Sequence, residues 1–472
     1  MTALSAVMEE KMKNRKTQHL TARMLGALAL GLLAGILMIL LREHLNASGN
    51  TSVWNTINNI FFADISAEGN ESAIGLFYII GQVFVRALQA VIVPMVFTSI
   101  VLAMVRIKDA SKLGRIASLT IGCFFLTTGI AIVIAAAVGM AAYNAHLFAN
   151  TATGLSAAEG STSSTNPLMI IVNAIPSNIA DAFTNNGGVL AIVVCALAVG
   201  LACNKLGDKV SIVPKACAEV SDIITVLLTW IINNLGPAAI FCLITRTCAS
   251  YGISYLKPAA VYMVLTTVLL LIVLLFGYPL FVRLTTGMKG STFMKKMGKV
   301  ALFGFSTSSS AATLPLNMKT TANELGVDEE ITSFVLPLGM TINMDGTAIM
   351  QVIAALFIAG CAGYHVTLSS VLVIGLLAVV ASIGTPAAPG AGAVILFTIL
   401  SAMGYTNDMA LMTYTLILAI NRPIEMLVTS LNVTGDAACA CAVAKKENVL
   451  HEDIYNSDEE KTEAPESAPA EN

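Results

Sequence analysis

Runs of twenty or more nearly uncharged residues recur along this chain, and they leave it few ways to fold. They fall at about 22–41, 74–105, 114–143, 167–203, 217–249 and 256–283. A helix crosses a bilayer core with about 20 apolar residues, and in lipid only elements that satisfy their own backbone groups survive. Six crossing helices follow. The runs at 74–105 and 167–203 exceed a straight crossing, so tilt or breaks are expected there. Charged residues make up 12% of the 472 residues, against about 25% in soluble domains. A water-soluble enzyme of this length could not cover itself with so few. The net charge of -3 points to no nucleic-acid partner.

Loop charges set the orientation. Lys11, Lys13, Arg15 and Lys16 precede the first run and Arg23 opens it. A cleaved signal peptide is the competing reading, but the run is too long and lacks a small-residue cleavage site. Arg106, Lys108, Lys112 and Arg115 follow span two; Lys205, Lys209 and Lys215 follow span four; Arg283, Lys289, Lys295, Lys296 and Lys299 follow span six. These loops alternate with poorly basic ones, which puts both termini in the cytoplasm and the protein in the plasma (inner) membrane. Asn46 and Asn50 begin weak glycosylation patterns on the outer side. The nine cysteines sit in or beside apolar runs without zinc-type spacing, and read as small hydrophobes.

After residue 290 the pattern changes. Residues 291–319 are apolar at both ends with Ser306–Pro315 in the middle, too short for two crossings and flanked by lysines. A re-entrant hairpin of two half-length helices fits; a Ser-rich cytoplasmic loop is the alternative. Residues 366–403 repeat the design around Ser382–Gly392, whose two prolines and three glycines rule out a continuous helix. A plain broken span is the alternative there. Each segment precedes an interrupted helix, Gly339–Thr347 after the first and Glu425–Asp436 after the second, with Gly346 and Gly435 offering the dihedrals for the breaks. Two copies running in opposite directions form inverted repeats, a construction that places binding sites near the midplane in many transporters. The expectation is an all-α polytopic membrane protein with eight transmembrane helices and two re-entrant hairpins.

Asp345, Glu425 and Asp436 lie within these crossing segments. An ionised carboxylate in the bilayer centre costs several kcal/mol and needs a partner. Asp345 has no basic residue within seven positions, whereas Glu425 has Arg422 one turn before it. Asp345 and Asp436 therefore read as facing a cation, with a structural role as the alternative. Unwound backbone at Asn343–Gly346 offers carbonyls to a hard cation. Half-helix N-termini at Ser306–Ser310 and Ser382–Thr385 suit an anion such as an α-carboxylate. A zwitterionic solute moved with a cation suits the whole. An ion channel or receptor is the other class. An enzyme is the least favoured reading, since no histidine stands near a candidate nucleophile, all five fall outside or at the edges of spans, and no phosphate loop occurs.

Ser308-Ser309-Ser310 with Thr313-Leu314-Pro315, then Asn343–Thr347, the Pro/Gly hairpin tip and Asn432-Val433-Thr434-Gly435-Asp436, resemble the glutamate transporter family of dicarboxylate/amino acid:cation symporters. The resemblance implies a homotrimer in the lipid bilayer that works as an elevator. It divides the chain into a cytoplasmic segment 1–21, scaffold 22–113, transport domain 114–143, scaffold 144–250 and transport domain 251–446; the cytoplasmic tail 447–472, rich in Asp, Glu, Ser and Pro without an apolar face, reads as disordered from its composition. It implies one sodium site from backbone oxygens of Gly339, Asn343 and Asn432 with the Asp436 carboxylate. A second uses backbone oxygens of Thr341, Ser382, Ile383 and Thr385. A third uses Asp345, Asn343 and a polar pair in span three, aligned with Thr128-Gly129. The substrate would meet Ser308, Ser309, Ser310, Thr347, Ala388, Glu425, Val428, Thr429 and Asn432, its carboxylate on Ser310 and Asn432 and its amine on Glu425.

The departures bear on substrate. Where acidic amino acid carriers of the family have an arginine, this chain has Val428, which offers no bidentate fork to a side-chain carboxylate. The amino-binding acid is Glu425, one methylene longer than the usual aspartate. Neither Thr307 nor Met426 supplies positive charge, leaving Arg422 to balance Glu425 or to point to an interface. Phe124-Phe125 replaces an aromatic pair of tyrosines, which lowers the expected sodium count. The expected function is sodium-coupled symport of a small neutral amino acid, serine-, alanine- or threonine-like. The alternative is a sodium- or proton-coupled carrier of acidic amino acids or dicarboxylates.

Overall fold

The computed structural model describes residues 2–65, 69–106, 114–148, 175–184, 189–251, 256–383, 385 and 390–457. Among these the elements are all helical, with one isolated antiparallel bridge, Val327 to Leu450. The first half contains α1 (Thr2–Ala47), α2 (Thr51–Ile57), α3 (Leu76–Arg106), α4 (Gly114–Asn144), α5 (Ile179–Thr184), α6 (Val189–Leu206), α7 (Ile212–Trp230) and α8 (Gly236–Tyr251). The second contains α9 (Leu256–Ile272), α10 (Tyr278–Thr286), α11 (Gly290–Thr307), α12 (Ser310–Asn323), α13 (Glu329–Ile342) and α14 (Asp345–Cys361). It ends with α15 (Leu368–Ile383), α16 (Ala391–Ala402), α17 (Asp408–Ile420), α18 (Arg422–Lys446) and α19 (Glu452–Asn456).

Seven helical stretches of the described residues are long and apolar enough to cross a membrane. The expected fourth span is instead the short α5 and α6 within the described residues, while 167–174 lie outside them. α14 is apolar on all sides and correspondingly buried on all sides. α18 carries Ala437, Ala438, Cys439, Ala440 and Cys441, all fully buried, small residues that let helices approach closely. α14 packs on α4 and α18, and α11 packs on α18. The periphery packs chiefly within itself, α1 on α8 and α3 on α6, α7 and α8, and meets the centre most closely where α8 packs on α17.

Both interrupted segments form helix pairs. α11 ends at Ser308, whose φ of 49° is left-handed, a conformation a non-glycine residue adopts at a cost. Ser309 then caps α12, its hydroxyl accepting the Ala312 N–H at 3.3 Å. α15 and α16 form the second pair, with Gly390 at φ 87° ahead of α16. A break separates α13 from α14 at Asn343–Met344, as expected.

Two expectations are corrected. No break occurs at Gly435, because α18 runs unbroken from Arg422 to Lys446 and the interruption falls at Asn421 instead. Gly435 serves packing: a Cβ there would lie 2.4 Å from the Tyr278 hydroxyl. Nor is the tail disordered from residue 447. The segment to Ser457 folds back onto the base of α11 and α12, where Lys296 donates to the carbonyls of Glu324, Ile454 and Tyr455 at 2.8, 2.9 and 2.8 Å. Tyr455 is wholly buried and donates to Lys289 O at 3.0 Å. Its burial pushes the phenol up from its ordinary range. A single aromatic anchor and carbonyl capture order a stretch that its composition marks as soluble.

Candidate functional site

The break between α13 and α14 brings two buried carboxylates beside span three. Asp345 opens α14, and both of its oxygens accept hydroxyl donors: Thr128 to Oδ1 at 2.5 Å and Tyr278 to Oδ2 at 2.9 Å. Asn343 donates its amide to Asp436 Oδ1 at 3.1 Å and accepts Thr127 at 3.1 Å. The polar pair of span three is therefore Thr127-Thr128, one residue earlier than the aligned Thr128-Gly129. Gly339 abuts Asp436 so closely that a Cβ would fall 2.5 Å from Oδ1. Among the described residues no lysine or arginine forms an ion pair with Asp345 or Asp436. Two carboxylates, an amide oxygen, hydroxyls and carbonyls released at a helix break form an oxygen-rich cluster suited to a hard monovalent cation.

Residues assigned to the second cation site are only partly brought together. Ser382 at the end of α15 faces a narrow gap with Ile342 and Thr128, near Thr341 at the end of α13. Thr385 lines the larger cavity instead. Ile383 ends α15.

That larger cavity, partly open, lies between the first hairpin tip, the α13–α14 break, the start of α16 and α18. Of the residues assigned to substrate, Ser308, Ser310, Thr347, Glu425, Val428, Thr429 and Asn432 line it. Ser309 is spent on capping α12, and Ala388 lies outside the described residues. Met344, Met350, Gly390 and Gly392 also line it and were not singled out from sequence. Helical spacing could have found Met350, three residues after Thr347 on the same face. Asn432 braces the break, accepting the Gly346 N–H at 2.8 Å and donating to Thr347 Oγ1 at 3.2 Å.

Glu425 accepts the Ala393 N–H of α16 at 3.4 Å, and its other oxygen lies 3.6 Å from Arg422 NH1. Arg422 is 4% exposed, which removes the alternative that it points to an interface. Its Nε and both terminal nitrogens have no hydrogen-bond partner, and neither does the Ser308 hydroxyl. A buried guanidinium at that distance from one carboxylate balances charge without forming a fork.

The sodium:dicarboxylate symporter family model matches residues 20–446. An excitatory amino acid transporter of Caenorhabditis elegans is 27% identical over 402 residues, covering 76% of this chain and 78% of that protein. A proton/sodium-glutamate symport protein of Geobacillus stearothermophilus is 27% identical over 382 residues, covering 79% and 88%. The L-cystine uptake protein TcyP of Bacillus thuringiensis is 27% identical over 470 residues, covering 91% and 96%. The chain belongs to the sodium:dicarboxylate symporter family and is a membrane transporter, not an enzyme.

Proposed function

We propose that this protein couples sodium entry to uptake of a small neutral amino acid. The observation that carries the reading is the chemistry of the cavity wall. It has one acid, Glu425, several hydroxyls, one amide, Asn432, and an apolar side made by Met344, Met350 and Val428. None of its described lining residues is lysine or arginine. A side-chain carboxylate brought there would be desolvated without a counter-charge, which costs several kcal/mol. A methyl or hydroxymethyl side chain meets no such cost. The α-carboxylate is received by Ser310, at the first turn of α12, and Asn432, and the amine by Glu425 and Thr429. Asp345 and Asp436 hold sodium with the Asn343 and Thr127-Thr128 oxygens.

The mechanism is an elevator within a homotrimer. α4 and the elements from α9 through α18 move as the transport domain, against a scaffold of α1–α3 and α5–α8. The separate packing of α1 on α8 and of α4 on α14 supports this division. The two helix pairs enter from opposite sides as re-entrant hairpins, and both termini are cytoplasmic, as the basic loops suggest. The test is radiolabelled uptake into proteoliposomes with an imposed sodium gradient, comparing serine and alanine with aspartate, succinate and cystine. Accumulation of serine or alanine is expected. Aspartate accumulating well with Val428 in place would overturn the substrate reading.

A further inference from the structure

Tyr278 belongs to none of the motifs that mark the cation sites, yet it holds one oxygen of Asp345. Its helix carries a buried stripe at Tyr262, Thr266, Leu270, Leu274, Tyr278 and Val282, each four residues after the last. In an α-helix a four-residue step drifts about 40° around the axis, so such a stripe leaves its face within a few turns. Here a π-helical turn, Val273–Gly277, takes in one extra residue, and the Tyr278 N–H reaches back five residues to Val273 O. Pro279 follows, with no N–H of its own to continue the ladder. The turn brings the Tyr278 ring back onto the interior face, against Asp345. The opposing helix makes room at Gly435, where a Cβ would fall 2.4 Å from the phenol oxygen. An irregular turn, a hydrogen bond and a missing side chain converge on one hydroxyl.

We infer that Tyr278 is a positioning residue of the cation site: it fixes the Asp345 carboxylate so that the oxygen beside Thr128 faces the ion. The inference rests on the sodium coupling proposed above. Hydrogen bonds behind a ligating carboxylate orient it, and their loss typically weakens metal affinity about 10- to 100-fold.

The test follows the melting temperature of the purified full chain as sodium replaces choline at constant ionic strength, without substrate. Substrate affinity at saturating sodium is measured alongside. Tyr278→Phe keeps the ring and should raise the sodium midpoint about tenfold; melting in choline should fall as well, because a buried carboxylate oxygen loses its donor, while substrate affinity at saturating sodium is retained. Gly435→Ala keeps the hydroxyl but displaces it, and should raise the midpoint in the same direction. Equal sodium midpoints in wild type and Tyr278→Phe overturn the inference alone, also where the variant melts lower in both baths. A wild type whose melting ignores sodium overturns the coupling, and the inference with it.

Discussion

Two polar regions meet on α18, and they are finished to different degrees. Around Asp345 and Asp436, the described side chains of Thr127, Thr128, Tyr278 and Asn343 satisfy one another, and none of their buried polar atoms lacks a partner. Around Glu425, the Ser308 hydroxyl on the cavity wall lacks one; the Asn421 amide nitrogen and the three Arg422 nitrogens also lack one, but they lie behind Glu425 and not on the wall. Leaving a buried polar group unpaired costs about 1–3 kcal/mol, so a fold keeps such groups where a ligand supplies the missing contact. The first region is organised by the protein itself. The second is organised for a guest with its own donors and acceptors. The difference is what the proposed division predicts, with a small, uniform ion in the first region and a variable solute in the second.

The largest way to break this contrast is Glu425→Gln. It removes the acid that faces the amine and strands Arg422, a loss expected to destabilise the fold by about 3 kcal/mol and to abolish amino acid binding. Thermal melting and calorimetric titration read the two effects. Asp436→Asn strikes the self-satisfied side and should weaken sodium-dependent stabilisation about 100-fold while leaving the cavity lining intact, as sodium titration of the melting temperature checks. Val428→Arg supplies the missing fork in the guest side. It should improve aspartate uptake about tenfold relative to alanine, the lower end of what a charge-assisted hydrogen bond contributes, measured by competition uptake. Lys296→Met lies far from both regions and tests the carbonyl clamp on the C-terminal segment. About 1 kcal/mol of stability should be lost with sodium and substrate affinities unchanged.

Much of this architecture could be read from the chain because lipid is an unforgiving solvent. Polar tips inside apolar stretches, and acids without local counter-charges, have few explanations there. The helix pairs at Ser308 and Gly390 and the break at Asn343 were legible for that reason. Other features were not. Gly435 was read as a hinge because glycine permits one, but the steric reason for it is a tyrosine more than 150 positions earlier in the chain. Tyr278 looked like one more residue of an apolar span, since a π turn changes which face a residue occupies without changing composition. Thr127 was passed over because adjacent residues on a helix point about 100° apart, and only the position of Asn343 shows that both threonines are used. The segment to Ser457 is ordered by one buried ring, too local a feature to outweigh its polar composition.

The most direct measurement is the affinity of purified wild-type protein for alanine or serine as sodium is raised against choline. If the self-satisfied cluster is the ion site that readies the cavity for its guest, affinity should tighten steadily with sodium and be lost in choline alone. Equal affinity in the two baths would contradict the account at its centre.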